Sequence, residues 1–127
     1  MNLPIFKAFV LCENISDKSA SSGQKDLQGA GLARMECAEP FPAKLSFWIF
    51  AQLADQKETG KVQLALMRAD SGRRYFFRSI IVRHKDAVQA TVVCIRLYDC
   101  LFPERGVYFI ELWYDDVWVI DQRLEVV

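Results

Sequence analysis

Apolar and polar residues alternate in about eight short segments of this 127-residue chain, the pattern typical of half-buried β-strands. Turn-forming residues separate these segments at intervals of roughly ten residues, as they do in β-sandwiches. No stretch keeps a helical period of apolar residues. We therefore expect an all-β protein, an antiparallel β-sandwich of about eight strands that forms a single domain over residues 1–127.

The clearest of these segments is the hairpin that spans residues 102–126. Pro103 and Gly106 mark a sharp corner before it, because proline fixes φ and glycine admits a positive φ. Tyr108 then begins the first strand. Its hydroxyl either bonds to the backbone a few residues upstream, as in the tyrosine corner of immunoglobulin-like domains, or stays in water. The corner and the hairpin together predict an immunoglobulin-like sandwich.

The turn of this hairpin is predicted from the parity of the alternation. Ile110 and Leu112 share one face of the first strand and are expected to point into the core. A turn with an odd number of residues is then needed if the apolar residues of the second strand are to share that face. We predict a three-residue loop over 114–116, with Ile120 opposite Ile110 and Trp118 opposite Leu112.

The other predicted strands occupy the rest of the chain in order. Six segments have strand character: 3–12, a weaker 27–35, 44–53, 61–69, 73–82 and 88–97. Residues 14–26 are predicted to form a polar, flexible loop, and residues 98–106 the corner before the hairpin. We expect the strand at 44–53 to pair with the strand at 88–97 in one sheet. The strand at 61–69 and the hairpin belong to the other.

Charge and composition exclude several classes of partner. Sixteen basic residues balance sixteen acidic ones, so the chain has no electrostatic attraction for nucleic acid or anionic lipid. The first apolar run is too short to span a bilayer, and no charged region typical of a secretory signal precedes it. We expect a cytoplasmic protein that binds neither nucleic acid nor membranes.

The residues that usually carry catalysis are few. His84 is the single histidine and lies between two cations, Arg83 and Lys85, so we expect a surface residue and not a general base. Asp115 and Asp116 are adjacent in a tight turn, where side chains point apart into solvent, which argues against an acid–base pair. We therefore expect no catalytic residue and no enzymatic activity.

The four cysteines are Cys12, Cys37, Cys94 and Cys100, and their spacing contains no C-x-x-C pair. We expect reduced thiols, since a disulfide between Cys94 and Cys100 would need the oxidising context of a secreted protein. With one histidine to assist them, the cysteines predict no metal site, and no motif predicts a cofactor.

Aromatic residues on predicted outer faces are the remaining functional signal. The outer face of the hairpin and its neighbouring strand is the candidate interaction face, formed by Phe109, Trp113, Val117, Val119 and Met67. Trp48 and Phe50 occupy a similar position on the other sheet. Glu111 interrupts the candidate face at the predicted surface, where its replacement by alanine should cost less than about 0.5 kcal/mol.

Apolar area on the outer face of a sheet usually means that something covers it. Two classes of function follow: a protein-interaction module that binds a protein partner or a second copy of itself as a homodimer, and a carbohydrate-binding sandwich with aromatic stacking platforms. The apolar character of the face favours the first, because sugar sites need flanking polar groups. A competing explanation is that residues 3–35 fold over the face internally.

Three short motifs resemble those of a known family. They are the segment from Phe9 to Glu13, the Phe102-Pro103 corner with Gly106-x-Tyr108, and the Trp113-Tyr114-Asp115-Asp116 turn. They resemble a bacterial family of small uncharacterised proteins, a domain of unknown function that forms a stand-alone immunoglobulin-like sandwich. The resemblance implies the same fold over nearly the whole chain and implies no activity. The Asp115-Asp116 turn departs from the Asn-Asp or Asp-Gly expected at that position.

Overall fold

A computed structural model of the protein describes residues 5–17, 25–37, 40–54, 59–83 and 91–127. These ranges contain ten β-strands and no helix. The strands are β1 (Ile5–Cys12), β2 (Asn14–Asp17), β3 (Lys25–Gln28), β4 (Arg34–Met35), β5 (Ala43–Ala54), β6 (Thr59–Arg68), β7 (Arg74–Arg83), β8 (Thr91–Phe102), β9 (Gly106–Tyr114) and β10 (Val117–Val126).

Two sheets form the sandwich. One sheet has three strands in the order β1-β5-β8, and the other has five strands in the order β4-β10-β9-β6-β7. All strand pairs are antiparallel except β4 with the end of β10, which is parallel. The structure confirms the all-β immunoglobulin-like sandwich and the predicted sheet partners of the strands near 44–53 and 61–69. The described part of the chain has ten strands where about eight were expected. The additional strands are short: β2 lies in the predicted loop, and β3 and β4 take the place of the single weak strand at 27–35.

The core lies between the two sheets and follows the predicted alternation. Every second residue of the central strands is buried in it, among them Phe47, Ile49 and Leu53 of β5, Val62, Leu64 and Leu66 of β6, and Ile110 and Leu112 of β9. The side chain of Gln122 also points inward, opposite Ile110, and its Nε2 donates to the Phe9 carbonyl oxygen of β1 at 2.8 Å. This bond joins the two sheets along one side of the sandwich.

The turn of the C-terminal hairpin differs from the prediction. Tyr114 pairs with Val117, so the loop contains only Asp115 and Asp116. Both aspartates have positive φ, 46° and 67°, as a type I′ turn requires. Asp115 is bonded twice to β6, because its N–H donates to the Lys61 carbonyl at 2.9 Å and its Oδ1 accepts from the Lys61 N–H at 2.9 Å. These bonds explain why two non-glycine residues accept the left-handed conformation.

One extra residue is needed to keep the apolar side chains of both hairpin strands on the same face, and this residue lies in β10 and not in the loop. Trp118 is paired with Trp113 and Ile120 with Leu112, so Val119 is an extra residue, a β-bulge. The bulge reverses the alternation, which returns Ile120 and Leu124 to the core face. Trp118 precedes the bulge, so the two-residue turn alone places it on the outer face, half exposed, where the prediction had it in the core.

Three further segments differ from the prediction. Residues 14–26 are not all loop, because β2 and β3 pair as a hairpin in which Ile15 is opposite Leu27 and buried. The predicted strand at 27–35 is interrupted by positive φ at Gly29 and Gly31, so that only β4 follows. The corner is shorter than predicted, since β8 continues to Phe102.

Tyr108 forms the tyrosine corner. Its hydroxyl donates to the Glu104 carbonyl oxygen at 2.6 Å and accepts from the Glu104 N–H at 3.3 Å, four residues upstream. The ring is fully buried and packs edge-on against Phe102, with centroids 5.0 Å apart. One hydroxyl therefore satisfies both backbone groups of Glu104 at the corner between β8 and β9.

Replacing Tyr108 with phenylalanine tests the corner. The change keeps the buried ring and leaves two backbone groups of Glu104 without their partner, so it should destabilise the fold by about 1–3 kcal/mol. Tyr98→Phe is the matched control, because that residue is exposed and should change stability by less than about 0.5 kcal/mol. Urea unfolding measures both, and equal effects of the two changes would contradict the assignment.

Candidate functional site: the outer face of the five-stranded sheet

The outer face of β9, β6, β7 and β10 combines aromatic and charged side chains. Strand pairing places Trp118, Trp113 and Gln63 in one row, Asp121, Glu111, Ala65 and Phe76 in the next, and Arg123, Phe109, Met67 and Arg74 in a third. We call this set of residues the Trp113 face. Phe76 is 48% and Trp118 46% exposed, and both are at its surface.

An ion pair between the partly exposed Arg74 and the buried Glu111 lies at the centre of the Trp113 face. Glu111 is only 2% exposed, although it is on the outer side of the sheet. Its carboxylate accepts two bonds from the Arg74 guanidinium, at 2.5 Å from Nε and 2.9 Å from Nη2, and one from the Trp113 indole Nε1 at 3.2 Å. This bidentate geometry is the strong form of the arginine–carboxylate pair. The hydrogen bond from Arg74 to Glu111 raises the pKa of Arg74 above its ordinary value.

Aromatic contacts complete this cluster and cover the carboxylate. The Arg74 guanidinium lies 5.3 Å from the centroid of the Trp113 ring, within the range of a cation–π contact. Phe76 packs edge-on against the same ring, with centroids 5.2 Å apart. Trp113 is thus held by a hydrogen bond, a cation and a second ring, which makes it a rigid aromatic platform. The expectation that Glu111 is a surface residue of little consequence is wrong.

The structure brings three of the five predicted face residues together. Phe109, Met67 and Trp113 are half-buried neighbours on the outer side of β9 and β6. Val117 and Val119 are placed differently from the prediction. Val117 is opposite the buried Tyr114, and Val119 is the bulge residue and packs against the core, because the two-residue turn and the bulge shift the alternation.

The sequence reasoning missed Arg74, Phe76 and Trp118 as members of the face. Trp118 was assigned to the core, since the bulge carries no local signal. Arg74 and Phe76 reach Glu111 and Trp113 because β7 pairs with β6 and β6 with β9, an adjacency that alternation within one strand does not reveal. The Tyr-Phe-Phe run of β7 was the one available signal, because a strand so rich in aromatics places some of them on its outer side.

Asp121 is the acidic neighbour of Glu111 across the hairpin, since the two residues are directly opposite in β10 and β9. Partial burial raises the pKa of Asp121 above its ordinary value, and the charge of Glu111 raises it further. The carboxyl of Asp121 therefore gives up its proton less readily than an exposed aspartate does. The Trp113 face holds two carboxyl groups with unlike environments, since Glu111 is bonded to a cation while Asp121 faces another carboxylate.

The amino-terminal strands lie elsewhere. β1 belongs to the three-stranded sheet, β4 extends the edge of the other sheet beside β10, and β2 contacts β5. Cys12 is opposite Trp48 on the outer side of the three-stranded sheet and is fully buried there, as is Ile15 of β2. The described parts of residues 3–35 thus lie against the other sheet and at the edge, and leave the Trp113 face exposed.

The other candidate groups either have structural roles or lie outside the described residues. Asp115 and Asp116 both bind Lys61, the latter through an ion pair of 2.8 Å, so the turn aspartates anchor the hairpin to β6. His84 lies outside the described residues. All four cysteines are described and in the thiol form. Burial raises the pKa of Cys12, and the nearby Cys94 contributes a smaller effect.

Two kinds of feature are absent from the described ranges. No group of three or more histidine, cysteine, aspartate or glutamate residues is placed there to hold a metal ion. No helix in the same ranges has the length and apolar character that crossing a membrane requires.

Comparison with solved structures finds a similar fold within larger proteins. Three crystal structures of β-glucosidase from Listeria innocua, one with glucose, one with isofagomine and one further structure of the enzyme, are similar to this fold. Their TM-scores are 0.56 with glucose, 0.51 with isofagomine and 0.54 for the third, at identities of 11%, 13% and 14%. The similarity covers 94% of this chain and 16% of each enzyme, and at such identities it shows the fold alone.

No family model matches the chain, and no curated protein is similar to it in sequence. Fold and site together define an immunoglobulin-like β-sandwich with an aromatic outer face organised around the ion pair of Arg74 and Glu111.

Breaking the ion pair from one side should be costly. Arg74→Met leaves the Glu111 carboxylate buried, with the Trp113 indole as its remaining donor. We expect the free energy of unfolding to fall by about 3 kcal/mol, the low end for such pairs because water then gains access to the carboxylate. The double change Arg74→Met, Glu111→Leu should recover most of that loss, since no charge then remains to be solvated. A double-mutant cycle in urea measures the coupling, and additive effects of the two changes would contradict the assignment.

The stability of the protein should depend on Asp121 in a pH-dependent way. Because the pKa of Asp121 is raised on folding above its ordinary value of 3.8, its ionisation at neutral pH opposes folding. Asp121→Asn should therefore raise the melting temperature at pH 7, and this gain should fade as the pH falls toward 3.8. Asp116→Asn, which removes an exposed ion pair with Lys61, should give no such gain. A gain for Asp121→Asn that is equal at both pH values would show that ionisation of this carboxyl is not its source.

Proposed function

We propose that this protein is a non-enzymatic interaction module and that the Trp113 face binds a second copy of the chain to form a homodimer. The observation that carries the proposal is the exposure of Trp118 and Phe76 around an ion pair that is already neutralised within one chain. A partner that covers this face buries aromatic surface and does not have to desolvate an unpaired charge at its centre.

The composition of the Trp113 face supports the proposal. Aromatic residues, methionine and arginine are enriched at protein interfaces, and tryptophan, tyrosine and arginine dominate their energetic hot spots. The face supplies Trp113, Trp118, Phe76, Met67 and Arg74 within three rows of side chains. Trp113 is fixed by its bonds to the ion pair, so that binding has little side-chain entropy to remove there.

Area and charge favour a second copy as the partner. The four strands of the face, spaced about 4.8 Å apart, and nine residues rising about 3.3 Å each give an area of roughly 570 Å², near the lower end of what one partner contributes to a specific interface, about 600 Å². Arg123 is paired with Glu125 at 3.3 Å, and the cations Arg74 and Arg123 of the face balance its carboxylates Glu111 and Asp121. A charge-balanced face can pack against its own copy around a twofold axis without like-charge repulsion.

The proposal requires no cofactor and places the module in the cytoplasm. The spacing of the four cysteines, which contains no C-x-x-C pair, is compatible with reduced thiols in that compartment. The balanced net charge supports a protein partner over nucleic acid or a membrane surface.

Carbohydrate binding is the second candidate function. One observation favours it: Trp118 and Trp113 lie opposite each other, with the carboxyl groups of Asp121 and Glu111 in the adjacent row. Exposed rings with flanking polar groups are what a sugar site needs. Similarity to part of a β-glucosidase is compatible with both candidates. The ion pair favours the homodimer, because Arg74 and Trp113 already occupy Glu111.

The double variant Trp118→Ser, Phe76→Ser tests the homodimer. Both side chains are about half exposed, so the fold should survive, while loss of two hot-spot rings of about 2 kcal/mol each should weaken self-association at least tenfold. Sedimentation velocity over a concentration series measures association, and a thermal melt verifies folding. Tyr98→Ser is the matched control, since that ring is 66% exposed on the other sheet and should leave the dimer intact.

A monomeric wild type over the whole concentration series would overturn the homodimer. In that case, a change in tryptophan fluorescence with members of a glycan panel, lost in the same double variant, would favour the carbohydrate function.

A further inference from the structure

Exposed apolar side chains are concentrated on one side of the sandwich. Six of the seven large hydrophobic residues that are exposed in the described ranges lie on β7 and β8: Tyr75, Phe76, Ile81, Val92, Tyr98 and Leu101. β7 ends the five-stranded sheet and β8 ends the three-stranded sheet. The opposite side is joined by the bond between Gln122 and the Phe9 carbonyl. Three of the six, Tyr75, Tyr98 and Leu101, lie together where β7 and β8 are joined across the edge of the sandwich.

A cavity of about 230 Å³ opens between the two sheets on this side. Its inner walls are apolar side chains from five strands: Phe47, Leu66, Phe77, Phe102 and Ile110. The more exposed Tyr75, Tyr98 and Leu101 surround its mouth. A dry apolar cavity of about 150 Å³ holds benzene, so this cavity has room for one aromatic ring with a short substituent.

The mouth of the cavity is held open by hydrogen bonds within the chain. The Tyr75 hydroxyl of β7 donates to the Leu101 carbonyl oxygen of β8 at 2.6 Å, which sets the gap between the two end strands. Tyr98 and Asp99 together oppose Ser46 in a second bulge. The Asp99 N–H donates to Ser46 Oγ at 3.0 Å, and Asp99 has a positive φ of 52°. A ligand would meet a cavity that is already formed, so little ordering would oppose binding.

The charge of the lining selects among aromatic ligands. Asp99 is the one charged residue among the described residues that line the cavity. The Cys100 thiol also lines it, and burial, followed by the charge of Asp99, raises its pKa to about 11, so it is uncharged at neutral pH. The nearby Arg96 is stacked on the Tyr98 ring at 4.5 Å and is not part of the lining. The site therefore attracts a cation and repels an anion.

We propose that this cavity is a binding site for a small arylalkylamine, with the ring between Phe47, Phe77 and Ile110 and the ammonium group at Asp99. This site is separate from the Trp113 face and does not depend on the homodimer.

Three probes with the same phenylmethyl group test the charge preference: benzylamine, benzyl alcohol and phenylacetate. Each is titrated into the purified full chain, and backbone amide shifts are followed by NMR. We expect saturable shifts at Tyr75, Phe77, Cys100 and Ile110, with benzylamine bound about tenfold more tightly than phenylacetate because of the one carboxylate. Absence of saturable shifts at these residues, or equal affinity for the amine and the acid, overturns the proposal.

Variants of Asp99 and Cys100 separate the effect of the cavity's charge from the effect of its volume. Asp99→Asn keeps a residue that tolerates positive φ and removes the charge, so the preference for benzylamine should vanish while benzyl alcohol binds as before. Cys100→Phe should fill the cavity and abolish binding of all three probes, whereas Cys100→Ala should retain it. Persistence of the amine preference in Asp99→Asn overturns the assignment of the carboxylate, and this result stands even if Cys100→Phe does not fold.

Discussion

The alternation of side chains along paired strands is the constraint on which this structure depends, and the bulge at Val119 is the point where the chain adjusts it. A shift of one residue exchanges the two faces of a strand. The two-residue turn at Asp115 and Asp116 would by itself send the apolar residues of β10 away from the core. The extra residue corrects this close to the turn, so that Ile120, Leu124 and Val126 pack inward.

The turn and the bulge together also position the Trp113 face. Trp118 precedes the bulge and keeps the outward direction set by the turn, which places it opposite Trp113. Without the bulge, Trp118 could not be outside while Ile120 is inside. The core and the exposed tryptophan row of the Trp113 face therefore have one structural cause.

The pair of Arg74 and Glu111 solves a different problem on this surface. A carboxylate covered by aromatic rings would be expensive to desolvate alone, whereas a bidentate guanidinium supplies both the charge and the hydrogen bonds that water would otherwise provide. Such pairs contribute little net stability compared with apolar residues of similar volume. In this protein the pair fixes the orientation of Trp113 through the bond from the indole to Glu111 and the contact with Arg74.

The sequence by itself determined the features that depend on neighbouring residues. The positions of the long strands, the core faces of β5, β6 and β9 and the tyrosine corner at Tyr108 were predictable, because alternation and the spacing from Gly106 are local patterns. Phe109, Met67 and Trp113 were placed on the outer face for the same reason. Only the tertiary structure decided the bulge at Val119, the position of Trp118 and the burial of Glu111. A bulge is defined by the partner strand, and Arg74 reaches Glu111 from 37 residues away through the pairing of β7, β6 and β9, so no local pattern encodes either.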